Sequence, residues 1–216
     1  MMDGTSDVSQ AVAGAESGDR LGREDWIRVA LQTLIDAGVE RVKVLPLSAR
    51  LGVTRGSFYW HFKNRAALLD ALIERWERQN TDAILGQAAL GGNDITAAIL
   101  NVFECWVDDR LFDPKLDFAV REWARRSPQV RAIVEQEDEK RVAGLARMFA
   151  RAGYGSQEAF VRARVLYYMQ IGYYALDVRE SLERRLSLVR DYLVSFSGVE
   201  PDPDLIAAYA ARLLRR

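Results

Sequence analysis

Cysteine and histidine are almost missing from these 216 residues: Cys105 and His61 are each the only one of their kind. A single thiol excludes an internal disulfide framework and suits a reducing, cytoplasmic setting. Between Glu104 and Trp106 it reads as a small buried apolar side chain rather than a nucleophile. One histidine and one cysteine cannot supply a zinc cluster, and no Ser-His-Asp combination stands at a working spacing. Phosphate-loop and dinucleotide glycine patterns are absent too. The chain therefore implies no cofactor, no metal and no enzyme chemistry. No apolar run approaches the ~18 residues of a membrane span, and the start lacks the basic-then-apolar order of a signal peptide. No membrane partner is expected.

Charge is balanced overall, with a formal net of −1, but unevenly distributed. Residues 1–19 hold Asp3, Asp7, Glu16 and Asp19 and no base, in a Gly/Ser/Ala-rich context that reads as a disordered acidic tail. Residues 20–65 carry nine bases against four acids, a net of +5. Positive charge thus gathers in one short region, as phosphate contacts require.

Apolar spacing is helical throughout, and no strand alternation competes. A first helix is expected over Arg23–Ala37, with Trp26, Ala30 and Leu34 inward and Gly38 closing it. A short second one spans Pro46–Leu51, and a third follows Thr54. Asn64 caps a fourth, whose stripe is Leu68, Leu69, Leu72, Ile73 and Trp76, and which ends before Gly86. Asp94 opens a helix to Leu111. Asp113-Pro114, Ser127-Pro128 and Asp202-Pro203 each read as a cap followed by proline at the first helical position. Ser156 starts a long helix to about Val178, and another covers about Glu180–Phe196. The fold class is all-α: an N-terminal three-helix helix-turn-helix domain at 20–66 and a larger C-terminal helical bundle at 67–216. A helix over 64–85 connects the two.

Residues 51–65 hold the most information. Gly52 suits a tight turn between short helices because it tolerates positive φ, and Thr54 offers a hydroxyl cap. Helical geometry then turns Phe58 and Phe62 inward with Leu51, and sets Gly56, Ser57, Tyr59, Trp60 and Lys63 outward, with Arg55 reaching from the first turn. Outward Tyr and Trp on a short basic helix call for a partner. Double-stranded DNA fits, with this helix in the major groove. A helical hairpin packing its aromatic face on another domain is the competing reading.

Residues from about Arg23 to Leu72 resemble the DNA-binding domain of the TetR family of bacterial transcriptional repressors. Leu51-Gly52-Val53, Phe58-Tyr59-Trp60-His61-Phe62-Lys63-Asn64 and Leu68-Leu69-Asp70-Ala71-Leu72 carry the likeness. One departure is Val44-Leu45-Pro46, where the family usually has a polar helix opening; Leu45 is a poor cap. By base-edge chemistry, Arg55, Ser57 and Trp60 read bases while Gly56 allows close backbone approach. The resemblance implies that Tyr59, His61, Lys63 and Arg65 hold phosphates, which position the helix without reading sequence.

Two helices bear on assembly. Leu182, Leu186, Val189, Leu193 and Phe196 follow a 4-3-4-3 spacing, and Phe160, Tyr167, Ile171, Tyr174 and Val178 form a seam on the preceding helix. Ala159, Ala163, Leu166 and Tyr173 form a second seam there, so this helix is buried on two sides, either as a central core helix or as half of an interface. The resemblance implies the latter, a homodimer built on the last long helices. It also implies a small-molecule effector in a C-terminal cavity. Aromatics and polar groups there supply candidate lining residues: Phe103, Trp106, Phe118, Arg121, Trp123, Phe149, Tyr167 and Gln170. Leu116–Arg126 resembles a segment recurrent in one subset of the family and names no ligand.

The reading is a homodimeric repressor that binds a palindromic operator and is released by a small apolar or aromatic effector. The alternatives are an activator or ligand-independent DNA-binding protein and, more remotely, a helical carrier or enzyme.

Overall fold

A computed structural model describes residues 21–92 and 94–215; the acidic tail expected at 1–19 lies outside them. The described chain is all-α. Helix α1 spans Arg23–Ala37, α2 Val44–Leu51, α3 Arg55–His61, α4 Arg65–Trp76 and α5 Asp82–Leu90. Then come α6 Ile95–Glu104, α7 Pro114–Ala124, α8 Pro128–Arg151, α9 Ser156–Ala175, α10 Leu182–Ser197 and α11 Pro203–Leu213. No helix among the described residues is long and apolar enough to cross a membrane.

Local chemistry sets most of the boundaries. In α1 the Asp25 carboxylate reaches back to accept from the Gly22 N–H at 2.9 Å, satisfying a donor with no intrahelical partner. Asn64, Asp94, Asp113, Ser127, Ser181 and Asp202 each accept from a first-turn N–H of the helix they open. Prolines 114, 128 and 203 follow three of those caps at the first helical position, where a missing N–H costs nothing.

The expected boundaries shift where tertiary contacts override local signals. Helix α2 starts at Val44, after Lys43, so Leu45 is a second helical residue and not a cap. Pro46 sits third, still within the turn that needs no intrahelical N–H bond. The rod begun at α4 does not stop before Gly86: Glu77–Thr81 continue it in π-helical winding into α5, which runs to Leu90. Helix α6 ends at Glu104, short of Leu111. There Arg212 takes the Glu104 carboxylate and Arg185 takes the Trp106 carbonyl, holding the chain in turns. Helix α9 ends at Ala175, three residues before the expected Val178.

Two apolar clusters form the interior. The first joins α1–α4 to Leu116, Val120 and Ala124 of α7 and Val130 and Val134 of α8. The second fills the bundle of α5, α6 and α8–α11. The first cluster does not divide at residue 66: Leu68, Leu72 and Trp76 of α4 belong to it, and α7 seals its far side. This attaches the N-terminal helices to the bundle through α7 as well as through the α4–α5 rod.

Between the clusters lies a buried polar knot. Asp117 on α7 accepts from Trp76 Nε1 at 2.8 Å, Arg121 Nε at 2.7 Å and Arg141 Nη1 at 3.0 Å. Arg121 forks onto Asp138 at 2.6 and 2.9 Å. Tyr167 donates to Asp138 at 2.6 Å and accepts from Arg121 and Arg141 at 3.0 Å each. The π-helical turn brings Thr81 in to accept from Arg141 Nε at 2.9 Å, and Asn80 in to exchange hydrogen bonds with the Asp113 backbone. Two cations meet two anions, so the burial is electrically neutral.

Candidate nucleic-acid interface and interior cavity

The helix-turn-helix is anchored from inside. Gly52 occupies the left-handed region at φ 67°, as a tight turn after α2 requires. Thr54 sits at the N-cap of α3, yet its hydroxyl makes no capping bond, contrary to expectation. What holds α3 is Phe58, fully buried, edge-on to Trp26 at 5.2 Å and stacked on Phe62 at 5.5 Å. Emptying such a site by Phe→Ala costs ~3–5 kcal/mol, so the helix orientation follows from this ring.

With Phe58 pointing inward, the opposite face is set. Trp60 is 84 % exposed and Tyr59 52 %. Arg55, Gly56 and Lys63 are exposed, while Ser57 and His61 are half-buried. A methyl added at Gly56 would meet only Thr54 Oγ1 at 3.5 Å, an ordinary contact. The fold itself therefore does not demand glycine there, and its bare backbone is a property of the outer surface. Arg65 stands apart from the other expected contacts. Its guanidinium donates to the Val42 carbonyl at 2.6 Å and the Val39 carbonyl at 2.7 Å, tying α4 to the segment before α2. That bonding braces the domain. Sequence reasoning also passed over Leu45, 63 % exposed on α2; read as a failed cap, it is an apolar group on the outer surface.

The eight residues expected around an effector do not converge. Phe103, Trp106 and Gln170 share a cavity between α6, α9, α10 and α11. Phe118 and Trp123 instead line an open groove where α7 faces the end of α1. Arg121 and Tyr167 are committed to the polar knot. Phe149 is fully buried against Tyr154 in the core, because the bundle closes around it.

The residues expected in the dimer seam lie largely inside this chain. Tyr167, Val189, Leu193 and Phe196 are buried within this chain, and Ile171, Tyr174, Leu182 and Leu186 pack against the same core. The 4-3-4-3 spacing on α10 describes an intramolecular contact. Of that set Phe160 and Val178 are open, at 48 % and 39 %. On α9 the open apolar line is a different one: Val161, Val165 and Tyr168, again at 4-3 spacing. Arg164 lies over the Phe160 and Tyr168 rings at 5.5 and 4.9 Å.

Cys105 is buried, and burial, then the Glu104 carboxylate, push its thiol up to about 12. It stays protonated and packs as an apolar side chain.

Residues 27–72, covering most of α1, all of α2 and α3 and most of α4, match the model of the tetR family of bacterial regulatory proteins. These residues belong to that family. Similar curated proteins include the tetracycline repressor protein class C of Escherichia coli, 52 % identical over 56 residues, 26 % of each chain. Another is the transcriptional regulator TtgR of Pseudomonas putida, 38 % identical over 52 residues, 24 % of this chain and 25 % of that one. The chain thus spans about a quarter of the length of the curated relatives it matches. The tetR-type fold extends further. Mycobacterium smegmatis AmtR superposes over 93 % of this chain and 98 % of its own with a TM-score of 0.61, at 16 % identity. A tetR-family structure from Mesorhizobium loti covers 88 % and 95 % with a TM-score of 0.58, at 15 % identity. At that identity the likeness shows the fold alone.

Proposed function

We propose that this protein is a homodimeric, ligand-responsive transcriptional repressor that reads a palindromic operator with α3. The observation that carries the reading is the division of α3 by Phe58: one ring buried, and Arg55, Tyr59 and Trp60 turned to solvent. Arg55 and Ser57 meet base edges and Trp60 a thymine methyl or sugar, since Arg pairs bidentately with guanine and apolar groups suit the methyl. Gly56 admits the DNA backbone closely. Tyr59, His61 and Lys63 hold phosphates, and Leu45 adds an apolar contact from α2.

Dimerisation is supported by the open line Val161, Val165 and Tyr168, whose two valines line a trough between α9 and α10. An apolar stripe at heptad spacing on the outer face suits a second helix. A two-fold pair also supplies the second recognition helix that a palindrome needs, about 34 Å away along the duplex. Repression is supported by the relatives named as repressors, and response to a ligand by the cavity deep in the bundle.

The test is fluorescence anisotropy of the full chain against DNA from upstream of its own gene, beside a shuffled duplex at matched salt. Binding tighter by ~10³ or more than to the control, lost in the double variant Arg55→Ala/Tyr59→Ala, is the expected result. Absence of binding at low salt overturns the proposal.

A further inference from the structure

The cavity between α6, α9, α10 and α11 contains one polar group with nothing to bond to. Gln170, 5 % exposed on α9, lines it, and its Nε2 has no hydrogen-bond partner. The Tyr174 hydroxyl lies near enough to feel the amide, yet makes no bond of ordinary geometry with Nε2. An orphaned buried donor costs ~1–3 kcal/mol and calls for an acceptor.

Three other polar groups at the cavity, Tyr173, Glu180 and Arg185, are already committed. Tyr173 donates to Glu180 at 2.7 Å, and Arg185 donates to the Trp106 carbonyl at 2.9 Å. Glu180 and Arg185 leave the wall without net charge. The remaining surface is aromatic and aliphatic, with Phe103 and Trp106 at 5.0 Å centroid separation, Tyr192, Leu186 and Met169. The cavity, partly open to solvent, measures about 50 Å³. That holds a few waters, whereas a benzene-sized guest occupies a cavity of ~150 Å³. Half-buried Met169 is an unbranched, adaptable side chain in this wall, and a ring-sized guest requires it to swing aside.

We infer that this cavity takes an uncharged, single-ring aromatic molecule carrying a carbonyl-type acceptor, with the oxygen on Gln170 Nε2 and the ring between Trp106 and Met169. A charged guest is disfavoured by the balanced wall, and a guest of several rings by the space. The inference rests on the effector-responsive reading for its biological purpose, but the binding itself is read in the free protein.

The probes are acetophenone and isopropylbenzene, which share a skeleton and differ in the acceptor. Each is titrated into full-length protein labelled at the methionine methyl carbons, following the Met169 resonance, assigned with Met169→Leu. Saturable shifts are expected for both. Hydration favours the hydrocarbon in any apolar site, so the diagnostic is the ratio of the two Kd values in wild type and in Gln170→Leu. Loss of Nε2 moves that ratio by about tenfold against the ketone. Leu186→Trp, which fills the cavity from its half-buried wall, abolishes both titrations while the helical circular dichroism is kept. An unchanged ratio, or no saturation by either probe, overturns the inference. Operator binding that persists in that case leaves the DNA-reading proposal standing. A saturable site that never releases DNA retires the responsive reading and leaves the cavity chemistry intact.

Discussion

Replacing Arg141 by Met tests the polar knot that joins α4, α7, α8 and α9. The guanidinium is fully buried, held by Asp117, Tyr167 and Thr81, and lies over the Trp76 ring at 4.8 Å and the Phe112 ring at 5.7 Å. Breaking a buried ion pair from one side costs ~3–5 kcal/mol because the other charge is stranded. Here Asp117 keeps Arg121 and Trp76, and Arg141 Nη2 had no partner to lose. The expected loss is therefore at the low end, about 3 kcal/mol. The pH dependence separates charge from packing. Burial pushes the Asp117 carboxyl up, but Arg141 and then Arg121 outweigh it and hold it below its ordinary 3.8. A lowered folded-state value gives stability that is present above 3.8 and lost as pH falls through the folded value. Without Arg141, burial gains weight and the carboxyl rises. The variant's deficit is then largest at neutral pH and narrows as pH falls through the variant's raised carboxyl value, where Asp117 takes up a proton and needs no cation. Urea unfolding at pH 7 and pH 4.5 reads both. In the double variant Arg141→Met/Asp117→Leu the loss is smaller than the sum of the singles, since neither charge is stranded. A deficit under ~1 kcal/mol at pH 7, or one equal at both pH values, refutes the electrostatic account.

Four further outcomes are expected from the outer surfaces. Arg55→Ala costs ~1–3 kcal/mol on the operator and relaxes sequence preference at the contacted position; equal loss on every duplex, read by anisotropy, argues against base reading. Lys63→Ala weakens all duplexes alike and lowers the salt slope by about one counterion. Arg65→Ala instead lowers the unfolding free energy through the lost Val39 and Val42 bonds and leaves that slope unchanged; a changed slope would return Arg65 to the DNA. Val165→Asp with Tyr168→Asp yields monomers by sedimentation velocity, whereas an unaltered dimer places the interface elsewhere.

Elements with strong local signals were legible before any coordinates. Helix α1 has the expected limits because Gly22 and Gly38 flank a clean apolar stripe, and Asn64, Asp113 and Ser127 cap where their chemistry suggests. The inward Phe58 and Phe62 followed from spacing alone. What failed depended on which neighbour an apolar stripe meets. The α10 line Leu182–Phe196 looks the same whether it meets α6, α9 and α11 of its own chain or a second copy. Single residues such as Phe118 carry no mark of which wall they join. The polar knot did leave a trace. Asp117 interrupts the apolar line of Leu116, Val120 and Ala124, and Arg141 that of Val134, Leu145 and Met148. Charges on buried lines demand each other, but sequence does not say that Tyr167 and Trp76 complete the set.

On the proposed function, Tyr167 links the cavity to the helices that read DNA. It lies one turn from Gln170 on the same face of α9, and its hydroxyl bonds to Asp138, Arg121 and Arg141. Arg141 in turn grips Thr81 in the π-helical turn of the α4–α5 rod, a type of irregularity frequent at functional sites. In that reading, a guest that shifts α9 at Gln170 shifts the hydroxyl that orients Arg141, and with it the rod carrying α4 and the proposed recognition helix. Ligand acts only through its different affinity for the two arrangements, and the coupling is reciprocal. Tyr167→Phe keeps the ring in the core and removes the hydroxyl, at ~1–3 kcal/mol of stability. Acetophenone and operator should each still bind. The factor by which one weakens the other should fall toward unity, measured both by anisotropy with ligand and by ligand titration with DNA. A coupling factor equal to that of wild type, in a variant that binds both, would remove Tyr167 from the route and leave α7 or α8 as the carrier.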